Sequence, residues 1–77
     1  MSRSDLAECV RRSLDRYFVD LDGEQPCAIY SMVIAQVERP MLEVVMRQAH
    51  GNQLRASEIL GINRNTLRKK LVQHGML

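Results

Sequence analysis

The sequence predicts an all-α protein with four helices, the last two of which form a helix-turn-helix. Apolar residues recur every three or four positions over most of the chain, which is the period of helices packed on a core. Glycine and asparagine residues interrupt this pattern near positions 51, 61 and 75, where helices are expected to stop and start. The chain has 77 residues, 45% hydrophobic and 26% charged, which fits one folded domain over residues 1–77.

The first helix is expected over residues 6–20. Asp5, with Glu8 three residues later, resembles a capping pair and places acid where the helix N-terminus is positive. Gly23 can adopt the left-handed backbone that ends a helix, and residues 22–26 are expected to form a loop. The apolar stripe of this helix consists of Leu6, Val10, Leu14 and Phe18.

The second helix is expected over residues 28–49 as one helix kinked at Pro40. Its apolar residues cover more than one face, so the helix must be buried on more than one side. The rest of the chain is too short to cover them all, whereas a second copy of the same helix could. The sequence therefore predicts a homodimer, with residues 6–50 as the dimerisation core. The residues assigned to the dimer contacts are Ile29, Val33, Val37 and Val45.

A short third helix over residues 53–60 and a fourth over residues 64–73 are expected to form the helix-turn-helix within residues 51–77. Gly51 suits the C′ position of the second helix, and Asn52 and Asn63 suit the N-caps of the third and fourth. Gly61 permits the left-handed turn, and Ser57 is small enough for close helix approach. The apolar wedge between the two helices is assigned to Ile59, Leu60, Ile62, Leu67 and Leu71. An ordinary helical hairpin with a polar outer face is the alternative.

Charge is distributed unevenly along the chain. Residues 1–50 carry six basic and eight acidic side chains, a net charge of −2, whereas residues 51–77 carry five basic and one acidic, a net charge of +4. A basic C-terminal third is typical of a nucleic-acid reader on a separate scaffold, although a merely solvated basic face would look the same. Asn63 and Arg64 begin the fourth helix, where side chains can reach base edges in a major groove.

Several strings in the chain resemble the factor-for-inversion-stimulation (Fis) family of bacterial nucleoid-associated proteins. The resemblance covers about residues 6–76. It is densest at Gly51-Asn52-Gln53, at Gly61-Ile62-Asn63-Arg64 and at Thr66-Leu67-Arg68-Lys69-Lys70-Leu71. The same helix-turn-helix also ends the nitrogen-regulation class of enhancer-binding activators. The upstream match at Val37-Glu38 with Pro40, together with the initiating Met1, favours a free-standing Fis-type protein.

The resemblance implies a homodimer whose first two helices intertwine and whose two recognition helices bend double-stranded DNA. It also implies tolerance of degenerate sites, with a preference for an A/T-rich centre read indirectly. Arg64 would read a guanine near each end of the site, and Asn63 would contact the neighbouring base region. The side chains that would hold phosphates are Asn52, Gln53, Thr66, Arg68, Lys69 and Lys70.

The chain departs from the family pattern at Leu54, His50, Val72 and Gln73, which replace hydroxyl or basic residues, so a weaker grip on flanking DNA is expected. Only residues 1–5 precede the first helix, where the best-known members carry an arm that touches a recombinase. A DNA-targeting and dimerisation module of an enhancer-binding activator, or an accessory factor for site-specific recombination, remain alternative functions. RNA polymerase or a recombinase are the further partners that such roles allow.

The sequence indicates neither an enzyme nor a cofactor or metal site. Cys9, Cys27, His50 and His74 are spaced too widely for a zinc finger, and no catalytic constellation is visible. No apolar run approaches the ~18 residues of a membrane-spanning helix, so no membrane partner is expected. The expected location is the nucleoid of the bacterial cytoplasm.

Overall fold

Four α-helices follow one another along the chain: α1 (Arg3–Leu21), α2 (Ile29–Gln48), α3 (Gln53–Leu60) and α4 (Arg64–Gln73). They come from a computed structural model that describes the backbone of residues 3–77 and the side chains of residues 5–77. No strand occurs among these residues, so the predicted all-α class and its four helices are confirmed. Within the same range, no helix combines the length and the apolar character needed to cross a membrane.

Helix α1 begins at Arg3, three residues earlier than predicted, and ends at Leu21. Asp5 therefore lies inside the first turn rather than at the cap. In the first turn its negative charge still interacts favourably with the positive N-terminal end of the helix. The apolar stripe of α1 faces α2 across an open groove rather than a closed core, and Leu6 and Phe18 remain nearly half exposed. The helix is thus amphipathic but incompletely covered by its own chain.

Helix α2 runs without interruption through Pro40, so the prediction of one long helix is confirmed. Its bounds are one residue shorter at each end than predicted. Pro40 has no backbone N–H, and the carbonyl four residues earlier, on Gln36, therefore has no helical donor there. Before α2, Ala28 has φ 54° and ends the connection in the left-handed region without a side-chain cap.

The assignment of Gly51 to the C′ position of α2 is wrong. His50 occupies that position with φ 54°, and Gly51 follows it with φ 80°. The His50 amide donates to the Arg47 carbonyl at 3.1 Å, and the Gly51 amide donates to the Met46 carbonyl at 2.9 Å, which is the Schellman pattern. The helix therefore needs two consecutive left-handed residues to turn into α3, and only the second is a glycine.

The closed hydrophobic core lies where the C-terminal half of α2 meets α3 and α4. Its fully buried members come from all three helices and are Leu42, Ala49, Ala56, Leu67 and Leu71. The half-buried side chains that pack against them are Val45, Met46, Leu60, Ile62 and Met76. Each fully buried leucine contributes about 1.5–3 kcal/mol relative to an exposed one. The core of a single chain is thus the helix-turn-helix docked on the end of α2.

The chain as a whole is elongated. It measures 45 × 26 × 16 Å with a radius of gyration of 15.0 Å, against roughly 11.5 Å for a compact domain of this length. Its accessible surface is 6220 Å², against roughly 4,800 Å² for a monomeric protein of this mass. The difference of roughly 1,400 Å² is what a partner would have to cover to give ordinary compactness, and it lies in the range that subunits of permanent dimers bury.

Candidate nucleic-acid interface

Two asparagines begin the helices of the helix-turn-helix. The Asn52 side-chain oxygen accepts from the Arg55 backbone N–H at 3.0 Å and caps α3. The Asn63 side-chain oxygen accepts from the Asn65 backbone N–H at 2.7 Å and caps α4. Each asparagine thus satisfies a backbone donor that the first turn leaves free. Both predicted caps, and the predicted bounds of α3 and α4, are confirmed.

The turn between α3 and α4 depends on Gly61, which has φ 74°. The Gly61 and Ile62 amides both donate to the Ser57 carbonyl, at 2.9 and 3.1 Å, and so close the end of α3. Ser57 is buried, and its hydroxyl donates to the Leu54 carbonyl at 2.7 Å. The roles predicted for Gly61 and Ser57, a left-handed turn and a small buried side chain, are confirmed.

Four of the five predicted wedge residues pack between the helices, and one does not. Leu67 and Leu71 are fully buried, and Leu60 and Ile62 pack against them. Ile59 is 46% exposed, so its assignment to the wedge is wrong. Ile59 precedes Leu60 by one position, and its side chain therefore points about 100° away from that of Leu60 around the helix axis.

The outer face of α4 carries its exposed cations. Arg64, Arg68 and Lys69 are exposed, and among the described residues no carboxylate pairs with any of them. Four residues of this face line one shallow depression: Asn65, Arg68, Lys69 and Val72. Unpaired cations on one helix face form a concentrated positive surface that is available to an anionic polymer. Arg64 stands at its N-terminal end, next to the exposed cap residue Asn63.

The remaining predicted contact residues are distributed around this face. Thr66 is exposed in the first turn of α4, and Asn52 is exposed at the cap of α3. Gln53, at the first position of α3, is half-buried. The predicted contact residues at the N-terminal ends of α3 and α4 therefore lie in the same helix-turn-helix as the basic face of α4. The contacts of these residues with a ligand stay predictions.

Lys70 has a different setting from the one expected. Its ammonium Nζ lies 2.7 Å from the Glu38 carboxylate Oε2, on α2, and its side chain is only 33% exposed. The other carboxylate oxygen, Oε1, lies 2.9 Å from His74 Nε2. The hydrogen bond from Lys70, together with the one from His74, lowers the pKa of Glu38 below its ordinary value. In this conformation the Lys70 ammonium is paired within the subunit, and its contact with a phosphate stays a prediction.

Arg39, the neighbour of Glu38, also contacts the end of α4, since its guanidinium donates to the His74 carbonyl. A cation at this position stabilises α4, because the C-terminal end of a helix carries partial negative charge. Arg39 is also 3.7 Å from Glu43 within α2. We call Glu38 and Arg39 the α2 clamp, because these two consecutive residues hold both the side chains and the backbone at the end of α4.

Sequence reasoning missed the clamp, although one signal was present. Glu38 stands four residues before Leu42 and therefore on the inner face of α2. An acidic residue at a core-facing position needs a cation partner when it is buried, and Glu38 is only 7% exposed. The partner could have been sought among the basic residues near the end of α4.

A second surface feature is an apolar groove of about 590 Å³ between α1 and the N-terminal half of α2. Val33 and Val37 line it, as two of the predicted dimer residues. Ile29 is half-buried outside this lining, and Val45 packs against the core of its own chain. The other residues that line the groove are Leu6, Cys9, Val10, Ser13, Leu14, Gln36, Pro40 and Met41.

Cys9 and Cys27 are both exposed and are free thiols. Across residues 5–77, no three or more histidine, cysteine, aspartate or glutamate side chains come close enough together to hold a metal ion. In the described part of the chain, the polar groups that could take part in binding lie chiefly on the helix-turn-helix and on the α2 clamp behind it.

The family whose sequence model matches this chain is described as "Bacterial regulatory protein, Fis family", and the match covers residues 33–74. It spans more than half of the chain, from the groove-lining part of α2 to the end of α4. The chain belongs to the Fis family. Its resemblance to that family at the level of sequence motifs is thereby confirmed.

Relatives that match nearly the whole of this Fis-family chain come from several bacteria. It is 58% identical over 73 residues to a Fis-like DNA-binding protein of Neisseria meningitidis, covering 95% of this chain and 92% of the relative. It is 58% identical over 77 residues to a Fis-like DNA-binding protein of Ralstonia nicotianae, covering all of both chains. It is 47% identical over 76 residues to the DNA-binding protein Fis of Actinobacillus succinogenes, covering 99% of this chain and 77% of the relative.

Proposed function

We propose that this Fis-family chain is a homodimeric DNA-binding protein that places α4 in the major groove and bends the duplex. The observation that carries the proposal is the outer face of α4, where Arg64, Arg68 and Lys69 are exposed and unpaired within the described chain. An α-helix with its side chains is about 10–12 Å wide, which fits the major groove of B-DNA, about 12 Å wide. The relatives described above, which are named as DNA-binding proteins, support the same assignment.

Position along α4 divides the proposed roles. Arg64 and Asn63 stand at the N-terminal end, which in helix-turn-helix proteins is the part that reaches base edges. Arginine fits the two guanine acceptors in the major groove. Arg68 and Lys69 lie further along the helix, and with Asn52, Gln53 and Thr66 they would hold phosphates and fix the register of the protein on the duplex. Lys70 is left out of this set while its ammonium is paired with Glu38.

The dimer is supported by the surface that the single chain leaves open. The groove beside Val33 and Val37 is almost wholly apolar, and α1 lies along it as an amphipathic helix. A second copy of α1 and α2 would cover this groove and offset the surface excess of the elongated subunit. A two-fold dimer would then present two copies of α4 to one face of the duplex.

Bending follows if the two copies of α4 are closer than the ~34 Å between successive major grooves of straight B-DNA. The close-packed helix core would resist stretching, so the DNA would deform, at a cost on the order of 1–6 kcal/mol that depends on sequence. An A/T-rich centre would lower that cost without any side chain touching it. Val72 and Gln73 carry no positive charge, and the flanking DNA would be wrapped less than by a more basic end. Such a protein would regulate transcription in the nucleoid of the bacterial cytoplasm.

The decisive experiment uses circular-permutation gels with two DNA sites that share their outer base pairs and differ only at the centre. The expected result is bent DNA in both complexes and tighter binding to the A/T-centred site. The variant Arg64→Ala serves as the control: it should weaken binding to both sites and leave the preference for the A/T centre unchanged, because no side chain reads that centre. Unbent DNA, or equal affinity for both centres, would mean that the recognition helices are spaced for straight DNA.

A further inference from the structure

We infer that Glu38 is a positioning residue for sequence discrimination, because it fixes the orientation of the recognition helix relative to the dimer core. The inference rests on the proposed function. It concerns a residue that belongs neither to the base-reading end of α4 nor to the apolar groove. Glu38 lies on α2, and both its carboxylate oxygens are bound by side chains near the other end of α4.

Among the side chains of residues 5–77, the α2 clamp supplies the polar contacts between α2 and the end of α4. Lys70 Nζ and His74 Nε2 contact separate oxygens of Glu38 at 2.7 and 2.9 Å, and Arg39 holds the His74 carbonyl. Apolar packing alone defines the rotation and tilt of a helix less sharply than hydrogen bonds do, because the hydrophobic effect is not directional. Two hydrogen bonds to one carboxylate, with a third to the helix end, fix both the rotation and the tilt of α4.

The geometry makes the far end of α4 sensitive to this anchor. Arg64 lies ten residues before His74 and therefore about 15 Å away along the helix axis. A tilt of roughly 10° about the clamped end would displace Arg64 by roughly 2.5 Å, which is enough to lose a hydrogen bond to a base. In a two-fold dimer the same tilt occurs twice, so the separation of the two recognition ends changes as well. Loss of Glu38 should therefore affect base discrimination and bending together.

The sign of the effect separates positioning from simple electrostatics. Removal of a carboxylate from a DNA-binding protein normally raises its affinity for any duplex, because less charge opposes the phosphates. Glu38→Gln should also release the Lys70 ammonium for phosphate contact. We therefore expect non-specific affinity to stay the same or to increase while specific recognition is lost. Glu24→Gln makes the same charge change in the connection between α1 and α2, on an exposed residue that pairs with no cation among residues 5–77.

The test compares the wild-type protein, Glu38→Gln and Glu24→Gln on two duplexes, one with a guanine near each end and an A/T centre, the other with those guanines replaced. Fluorescence anisotropy gives the affinity for each duplex, and the affinity ratio is that of the guanine-bearing duplex to the other. Energy transfer between the duplex ends gives the bend. We expect Glu38→Gln to lower the affinity ratio about tenfold and to broaden or reduce the bend, with unchanged helix content, while Glu24→Gln stays within about twofold of wild type.

An unchanged ratio and bend in a folded Glu38→Gln protein would overturn the inference and leave the proposed function standing. Failure of the wild-type protein to discriminate between the duplexes would overturn both. If Glu38→Gln does not fold, Lys70→Met decides instead, since Glu38 then keeps its contact with His74. The same fall in the affinity ratio is expected there, and an unchanged ratio would again overturn the inference.

Discussion

His74 Nε2 lies 2.9 Å from Glu38 Oε1, a contact between residues 36 positions apart that joins the end of α4 to the middle of α2. A carboxylate oxygen only accepts hydrogen bonds, so His74 donates and its Nε2 carries the proton. With Lys70 on the other oxygen, the buried carboxylate has partners on both sides. This arrangement offsets the cost of removing a negative charge from water, and it makes the docked α4 dependent on the ionised state of Glu38.

Acid should therefore loosen the docking of α4. The pKa of Glu38 is lowered in the folded chain, chiefly by the Lys70 hydrogen bond, so folding favours the charged form. Its contribution to stability is complete above the ordinary glutamate pKa of about 4.3 and is lost as the pH falls from there through the lowered folded-state pKa. Urea unfolding at fixed protein concentration, measured across this range, should show a shallower pH dependence for Glu38→Gln than for wild type.

Glu24→Gln is the control for this experiment, since Glu24 is exposed in the connection between α1 and α2 and pairs with no cation among residues 5–77. Its pH dependence should follow that of the wild-type protein. If the Glu38→Gln protein lost stability on acidification as steeply as wild type, Glu38 would not be the group responsible.

Asn63 should serve two separable purposes. Asn63→Ala removes the acceptor of the Asn65 N–H and should lower the free energy of unfolding by about 1 kcal/mol. Asn63→Asp keeps an acceptor at the cap and should change stability by less than about 0.5 kcal/mol. It also adds a negative charge beside the proposed DNA surface, so DNA binding should weaken despite intact folding. Wild-type DNA affinity in Asn63→Asp, measured by anisotropy, would place this cap away from the duplex.

A charge in the apolar groove should prevent folding rather than produce a monomer. Val33→Asp places a carboxylate in a groove lined almost entirely by apolar groups, where an unpaired charge is strongly disfavoured. We expect loss of helical circular dichroism at micromolar concentration. Val19→Asp is the control, since Val19 is 76% exposed and does not line the groove. Sedimentation of a folded 8.9 kDa species, for the wild type or for Val33→Asp, would contradict an obligate dimer.

Arg64 and Lys69 should differ in what their loss changes. Arg64→Ala should weaken binding by roughly 1–3 kcal/mol at a guanine-bearing site and flatten the preference there. Lys69→Ala should weaken binding to every sequence alike and reduce the dependence of log affinity on log salt by about one phosphate contact. Lys69 suits this comparison better than Lys70, because the Lys70 ammonium is paired with Glu38. An equal loss of preference in both variants would contradict the assignment.

Local sequence signals predicted the helix-turn-helix closely. The caps Asn52 and Asn63 and the turn residue Gly61 act within a few residues along the chain, so their sequence positions sufficed to define α3 and α4. The continuous α2 followed from apolar residues on both sides of Pro40. Where the chain turns from α2 into α3, the prediction was wrong because His50 adopts φ 54° without being a glycine.

The relations between distant residues were harder to predict. Lys70 seemed one of a run of outward cations, because neither helical period nor charge shows that a buried acid on α2 takes its ammonium. Ile59 looked like part of the wedge because it is apolar, although its angular position places it outside. Val45 is half-buried against the core of its own chain, and the dimer contact assigned to it stays a prediction. In each case the answer depends on how α2 crosses the later helices, which is a tertiary property.

The placement of the core has a consequence for the order in which the protein folds. Helix α3 packs on α2 and on α4, its two neighbours along the chain. Contacts between neighbouring elements close short loops and form fast, so the C-terminal half of the subunit should form within milliseconds or less, as a transient species that only the dimer stabilises. In the proposed dimer, helix α1 would be covered only after an encounter with another chain. Refolding should therefore show a fast phase that does not depend on protein concentration, followed by a slower phase whose rate rises with it.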